Sequence, residues 1–203
     1  MIFMVPKFTG AAYFAATEKG AKEAVAELKG RGVAIDFLYT GPSVANTDEE
    51  IRMIDDLVAQ KPDAIIIAAN HADAMVPVVK KAKTSGIKVT TYDADVADPT
   101  ARQWFVNQGT FTLVGAALVD VVAEQAGASA RFAVVSTDPG AFSMAQDLIN
   151  KFRGQLDAIV APTVVALPKA AEAVEQAGLT GKIVVTGLST PNDMKEFVKR
   201  GTV

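Results

Sequence analysis

Short apolar runs alternate with amphipathic stretches along the whole chain. Ala64 to Ala69 is a continuous apolar run rich in Ile and too short for a buried helix. It predicts a buried parallel strand. Ala72 to Ser85 then carries Met75, Val78, Val79 and Ala82 at helical spacing, with Lys80, Lys81 and Lys83 towards its end. Cations there suit the negative pole of a helix. Gly86 stops the helix, and Ile87 to Thr91 reads as the next strand. Asp93 and Asp95 follow it, just beyond a strand's carboxyl end, where open α/β sheets bind ligands.

The same alternation runs on both sides of this unit. Ile2 to Pro6 reads as a strand, Lys7 to Phe14 as a loop with Gly10 as its flexible point, and Ala15 to Gly30 as an amphipathic helix. Val33 to Tyr39 predicts a second strand, and Gly41-Pro42-Ser43 a turn. Asn46 or Thr47 caps the next helix, with Asp48, Glu49 and Glu50 at its positive end and Ile51, Ile54, Leu57 and Val58 as its apolar stripe. After Pro99, Gln103 to Val106 reads as a fifth strand, and Asn107-Gln108-Gly109-Thr110 as a crossing into a second series. That series is a helix over Leu113 to Ala126, a strand over Arg131 to Ser136, and a loop and helix over Gly140 to Arg153. It continues with a strand over Asp157 to Ala161, a helix over Val165 to Ala177, a strand over Lys182 to Thr186 and a helix over Asn192 to Arg200. Such alternation predicts an α/β protein with parallel sheets and helices on both faces.

The two series echo each other. Asp63-Ala64-Ile65 aligns with Asp157-Ala158-Ile159, an offset of about 94 residues. Gly10-Ala11 aligns instead with Gly140-Ala141, an offset of 130. The repeat therefore predicts two related lobes, 1–107 and 108–203, the second short by about 36 residues between its first strand and Asp157. In the first lobe that interval holds a strand and a helix. We expect the missing piece, and not a smaller lobe, to explain the difference.

Composition narrows the field. A net charge of -3 argues against nucleic acid as a partner, since phosphate binding needs a basic face. No cysteine is present, which excludes disulfides, thiol nucleophiles and Cys-based metal sites. No apolar run is long enough to span a bilayer, and Met1 leads almost directly into a strand, which suggests an upstream segment cleaved or left out. Neither G-x-G-x-x-G, Walker A nor G-x-S-x-G occurs. An α/β enzyme using Asp93 and His71 is the remaining catalytic reading. His71, the single histidine, reads better as a solvated or capping residue.

Asp93 and Asp95 can accept paired hydrogen bonds from neighbouring hydroxyls. Lys7 can donate to a ligand oxygen or pair with Asp93. Tyr13 and Phe14 can stack on a sugar ring or pack as core. Trp104 reads as a packing residue.

Taken together, Val5-Pro6-Lys7 with Tyr13-Phe14, Tyr39-Thr40-Gly41-Pro42, Thr91-Tyr92-Asp93-Ala94-Asp95, Asn107-Gln108-Gly109-Thr110, Ala161-Pro162, and Ser189-Thr190-Pro191-Asn192 through Arg200-Gly201-Thr202-Val203 resemble type I periplasmic sugar-binding proteins of ABC importers. The likeness is greatest to the autoinducer-2-binding and rhamnose-binding branch. It implies two Rossmann-like lobes, a ligand held in the cleft between them, and closure sensed by ABC permease subunits in the membrane. It also implies a monomer secreted to the periplasm by a signal peptide ahead of Met1, with no cofactor and no enzymatic activity. In that family the chain continues beyond Gly-Thr-Val, so a further C-terminal segment is implied.

The autoinducer-2 pattern is matched by Lys7, Asp93, Pro162 and, less closely, Val164, and Tyr13, Phe14, Asp95, Asn107, Gln108, Ser143 and Met144 complete the expected ligand-binding set. The autoinducer-2 pattern has an Asp-Gln pair where, counting from Pro139, this chain has Ser143 and Met144. Losing that pair removes polar contacts to hydroxyls. The expected ligand is then a small sugar, a deoxy-sugar such as rhamnose with a methyl to bury near Met144 or Phe142 or another monosaccharide, and autoinducer-2 is the alternative. The effector-binding core of a LacI-like regulator shares the fold and would need an upstream DNA-binding domain.

Overall fold

The computed structural model describes residues 1–136 and 140–203. Pro139, the residue from which Ser143 and Met144 are counted, lies outside them. The chain divides into two units, Met1–Gln108 and Gly109–Val203.

The first unit holds a parallel sheet of β1 (Ile2–Val5), β2 (Phe37–Tyr39), β3 (Ala64–Ile67), β4 (Lys88–Tyr92) and β5 (Trp104–Val106), in the order β2-β1-β3-β4-β5. Strand alternation sends side chains to two faces. Phe3, Val5, Ile65, Ile67 and Val89 meet Ile54, Leu57 and Val58 of α2 (Thr47–Ala59) and Val78, Val79 and Ala82 of α3 (Val76–Thr84). Met4, Ile66 and Tyr92 face the other way, onto Phe14 and Ala21 of α1 (Ala12–Gly30). The order places the switch point between β1 and β3, whose following segments leave in opposite directions.

The second unit holds α4 (Phe111–Ala126) and a three-stranded sheet, β6 (Phe132–Val134), β7 (Ala158–Ala161) and β8 (Val184–Gly187), all parallel. Val135, Ile159, Ala161 and Val185 pack against α5 (Ala141–Lys151), α6 (Ala166–Gln176) and α7 (Pro191–Lys199). Ala158, Val160 and Val184 pack against Leu118 and Val122 of α4. Small side chains let the layers approach closely. At Gly187 a Cβ would stand 1.9 Å from the backbone oxygen of Ala161 on the neighbouring strand.

The element types match the hydrophobic pattern, and the edges shift for local reasons. The expected strand over Val33–Tyr39 shrinks to Phe37–Tyr39 because the end of α1 captures Val33. Gly32 adopts φ 84°, and Val33 N–H donates back to the carbonyl of Leu28, a Schellman closure. Helix α3 begins at Val76, four residues later than expected, after turns that include Met75 N–H to the His71 carbonyl. Trp104, read as a packing residue, is 58% exposed on the terminal strand β5.

Gly187→Ala should destabilise the protein by at least about 2 kcal/mol, because the new methyl meets backbone on a neighbouring strand. Gly20→Ala, in mid-helix with nothing within 4 Å of the added Cβ, should instead stabilise by about 0.5–1 kcal/mol. Urea unfolding of both variants beside the parent checks the contrast, and equal midpoints would refute it.

Candidate functional site

The segments after β1, β3, β4 and β5 all leave the carboxyl edge of the first sheet. At the end of β4 the chain turns sharply. Asp93 takes φ 60°, and Ala94 N–H donates to the Tyr92 carbonyl at 2.6 Å. A left-handed backbone is uncommon for a residue other than glycine and tolerated best by Asp and Asn. Asp93 N–H is held by the Val106 carbonyl at 3.3 Å, so the turn is tied to the end of β5. Such strain is a marker for function when surrounding contacts enforce it.

Three side chains converge on the Asp93 carboxylate. Lys7 Nζ, from the segment after β1, lies 3.4 Å from Oδ2. Gln108 Nε2, from the segment after β5, donates to Oδ1 at 2.9 Å. The Tyr13 hydroxyl, in the first turn of α1, donates to the same carboxylate. Burial, and then the charge and hydrogen bond of Asp93, push the Tyr13 phenol up to about 12, so it stays a neutral donor. A cation, an anion, an amide and a phenol thus share one sheet edge, and all four can hydrogen-bond hydroxyl groups.

Two neighbours are engaged within the fold. Phe14 is only 3% exposed and packs edge-on against Phe8, Tyr13 and Tyr92. It therefore backs Tyr13 as part of the core, the second of its two expected roles. Asp95 is committed elsewhere. Its carboxylate takes bonds from Arg102 Nε at 2.8 and 3.1 Å, the Thr91 hydroxyl at 2.6 Å and Val96 N–H at 2.9 Å. Burial works against its charge, yet those donors hold it below the ordinary carboxylate value. Asp95 braces the loop that carries Asp93. Asn107 precedes Gln108 and is exposed.

In the second unit the corresponding edge is weaker in charge. Ser143 and Met144 lie in the first turn of α5, and Met144 is 37% exposed. Pro162 and Val164 follow β7, where the Thr163 hydroxyl accepts from Ala166 N–H and Ser189 Oγ donates to the Val164 carbonyl. Thr190 caps α7 by accepting from Asp193 N–H. His71 is exposed and its Nδ1 accepts from Ala74 N–H, a local cap.

One buried carboxyl beside this cluster reads from sequence only as a helix-start acid. Glu50 is fully buried in the first turn of α2. Its Oε2 accepts from Asn70 N–H at 3.0 Å and from Asn70 Nδ2 at 2.8 Å. Burial pushes its carboxyl up to about 7, against the lowering effect of the Asn70 bonds and the Lys7 charge. The available signal was spacing: Glu50 stands four residues before Ile54 and seven before Leu57, on the apolar stripe.

With this geometry in view, the profile of the periplasmic binding protein domain family matches residues 2–146. Among solved structures, a sugar ABC transporter from Actinomyces odontolyticus is 27% identical, with 100% of this chain and 75% of that chain covered at a TM-score of 0.74. LsrB from Clostridium saccharobutylicum in complex with AI-2 is 23% identical, with 100% and 74% covered at 0.87. An ABC transporter solute binding protein from Clostridium phytofermentas with bound L-rhamnose is 24% identical, with 96% and 70% covered at 0.84. The fold is theirs.

The raised value at Glu50 makes stability depend on pH. A carboxyl with a folded value above its unfolded one contributes stability that is full below about 4.5 and lost as pH rises through about 7. Between pH 5 and 8 the protein should lose up to about 3 kcal/mol on this account, and Glu50→Gln should remove that slope. Urea unfolding at several pH values measures it; parallel curves for parent and variant would contradict the assignment.

Proposed function

The chain belongs to the periplasmic binding protein family, and from that premise we propose that it captures a small deoxy-sugar, rhamnose or a close relative, for an ABC importer. The family consists of solute-binding proteins and not enzymes, and it operates in the periplasm or outside the cell. The observation that carries the proposal is the convergence of Lys7, Tyr13 and Gln108 on Asp93 at the carboxyl edge of the first sheet.

Asp93 accepts hydrogen bonds from two neighbouring sugar hydroxyls, and Lys7 and Gln108 donate to their oxygens. These partners already satisfy one another, so hydroxyls exchange into an existing network and leave no charge stranded. Tyr13 offers a ring edge and a neutral donor. At the positions matched in the second half of the sequence stand Ser143, Met144, Pro162 and Val164, apolar but for Ser143, a chemistry that suits a methyl group better than a further hydroxyl. Asn107 flanks Gln108 and joins the polar rim. Phe14 and Asp95 serve as supports. Bound chain is read by permease subunits in the membrane, with the chain acting as a monomer.

Autoinducer-2 is the second reading. Lys7, Asp93 and Pro162 match that pattern, and the similarity to the AI-2-bound protein supports it. Ser143 and Met144, standing where that pattern has an acid and an amide, favour the deoxy-sugar.

Isothermal calorimetry against L-rhamnose, D-ribose, other monosaccharides and autoinducer-2 tests the choice. We expect L-rhamnose or another 6-deoxy sugar to bind most tightly; tighter autoinducer-2 would select the second reading, and silence across the panel would sink both. Asp93→Asn keeps a residue tolerant of the left-handed turn while removing the charge. It should weaken binding by about 100-fold, the loss of two charge-assisted bonds, with little change in melting temperature. Unchanged affinity would remove Asp93 from the site.

A further inference from the structure

A carboxyl group on the apolar stripe of α2 needs a reason. The stripe beside it, Ile54, Leu57 and Val58, packs under the first sheet, and an apolar residue at position 50 would extend it without burying a polar group. What Glu50 does that an apolar residue cannot is hold Asn70. One of its oxygens takes both the backbone and the side-chain N–H of Asn70. Asn70 Nδ2 also donates to the Lys7 carbonyl at 2.8 Å. Lys7 in turn presents its ammonium to Asp93. The link therefore runs from α2, through the segment after β3, to the segment after β1, across the switch point of the sheet.

We propose that Glu50 is a positioning residue for the ligand site, fixing Asn70 and through it the Lys7 backbone so that the ammonium stands against Asp93. The inference rests on the proposed sugar site and extends it below the surface. Among the described residues the other oxygen, Oε1, is buried with no hydrogen-bond partner, so the carboxyl is held there by one oxygen only and has a free place for a proton. Protonation weakens the acceptor for Asn70 and removes the negative charge that faces Lys7. The position of Lys7 thereby becomes sensitive to pH near neutrality.

The groups around Glu50 are few. From the segment after β1 the facing charge is Lys7. From the segment after β3 it is the uncharged Asn70, with His71 next in the chain, exposed and turned to Ala74 N–H. An imidazole also titrates in this range in general, so His71 is the control.

The test uses the 203-residue chain labelled with 15N. In the parent, the amide resonances of Lys7 and the backbone and side-chain amides of Asn70 should titrate together with a midpoint near 7. His71→Asn should leave that midpoint in place, and Glu50→Gln should abolish it. Titration that survives Glu50→Gln, or vanishes with His71→Asn, overturns the proposal. This readout needs no ligand, so it stands whether or not any sugar binds. With the sugar that binds most tightly, Glu50→Leu and Lys7→Met should each weaken binding about tenfold, and the double variant by no more than the worse single one, as expected for residues acting through one contact. Losses that multiply would mean Glu50 acts independently of Lys7 and would overturn the proposal. Glu50→Gln, which retains an acceptor for Asn70, should restore affinity to within about threefold of the parent.

Discussion

The turn at Asp93 forces the chain into a left-handed backbone at the point where β4 ends. A smoother exit would carry the carboxylate away from the sheet edge. The turn is held by Ala94 N–H on one side and by the Val106 carbonyl on the other, so β4 and β5 jointly determine where the charge stands. Lys7, Tyr13 and Gln108 reach it from three other segments of the chain. Strand order makes this convergence possible: in a parallel sheet every strand delivers its following segment to the same edge, and the switch between β1 and β3 leaves a gap there.

Two aspartates two residues apart have opposite duties. Asp93 faces groups that can rearrange around a hydroxyl. Asp95 is saturated by Arg102, Thr91 and Val96 N–H, and ties the loop to the strand behind it. Rigidity in the second carboxylate permits availability in the first. The same division appears in the aromatic group, where Phe14 packs inside and Tyr13 keeps its hydroxyl at the edge. Beneath both, Glu50 and Asn70 connect the helix layer to Lys7. The proposed ligand edge thus rests on buried polar contacts one layer down.

Much of this was legible in the amino-acid order. The apolar runs at Ile2–Val5, Ala64–Ile67 and Ala158–Ala161 are too short for helices, and they became central strands. Lys7 and Asp93 could be paired on paper because each follows a strand. The failures have physical causes. The strand expected over Val33–Tyr39 begins late because Val33 N–H closes the end of the helix before it, donating to the Leu28 carbonyl. Asp93 and Asp95 look equivalent in sequence; Arg102, seven residues on, the Thr91 hydroxyl and Val96 N–H all bond the second and not the first. Glu50 sat in an acidic helix start, where charge usually means solvent, and its inward turn depends on Asn70, twenty residues away. Sequence spacing shows which face a residue occupies, but a polar partner brought by another strand decides whether that face is tolerable.

The central claim is that the Asp93 cluster is where a sugar meets the first unit. Chemical-shift mapping of the labelled chain with saturating sugar tests it most directly. The account predicts that the largest backbone shifts fall on Lys7 to Tyr13, Tyr92 to Asp95 and Asn107 to Gln108, with Asn70 moving alongside. Shifts centred elsewhere in the first unit, with these segments unmoved, would contradict it.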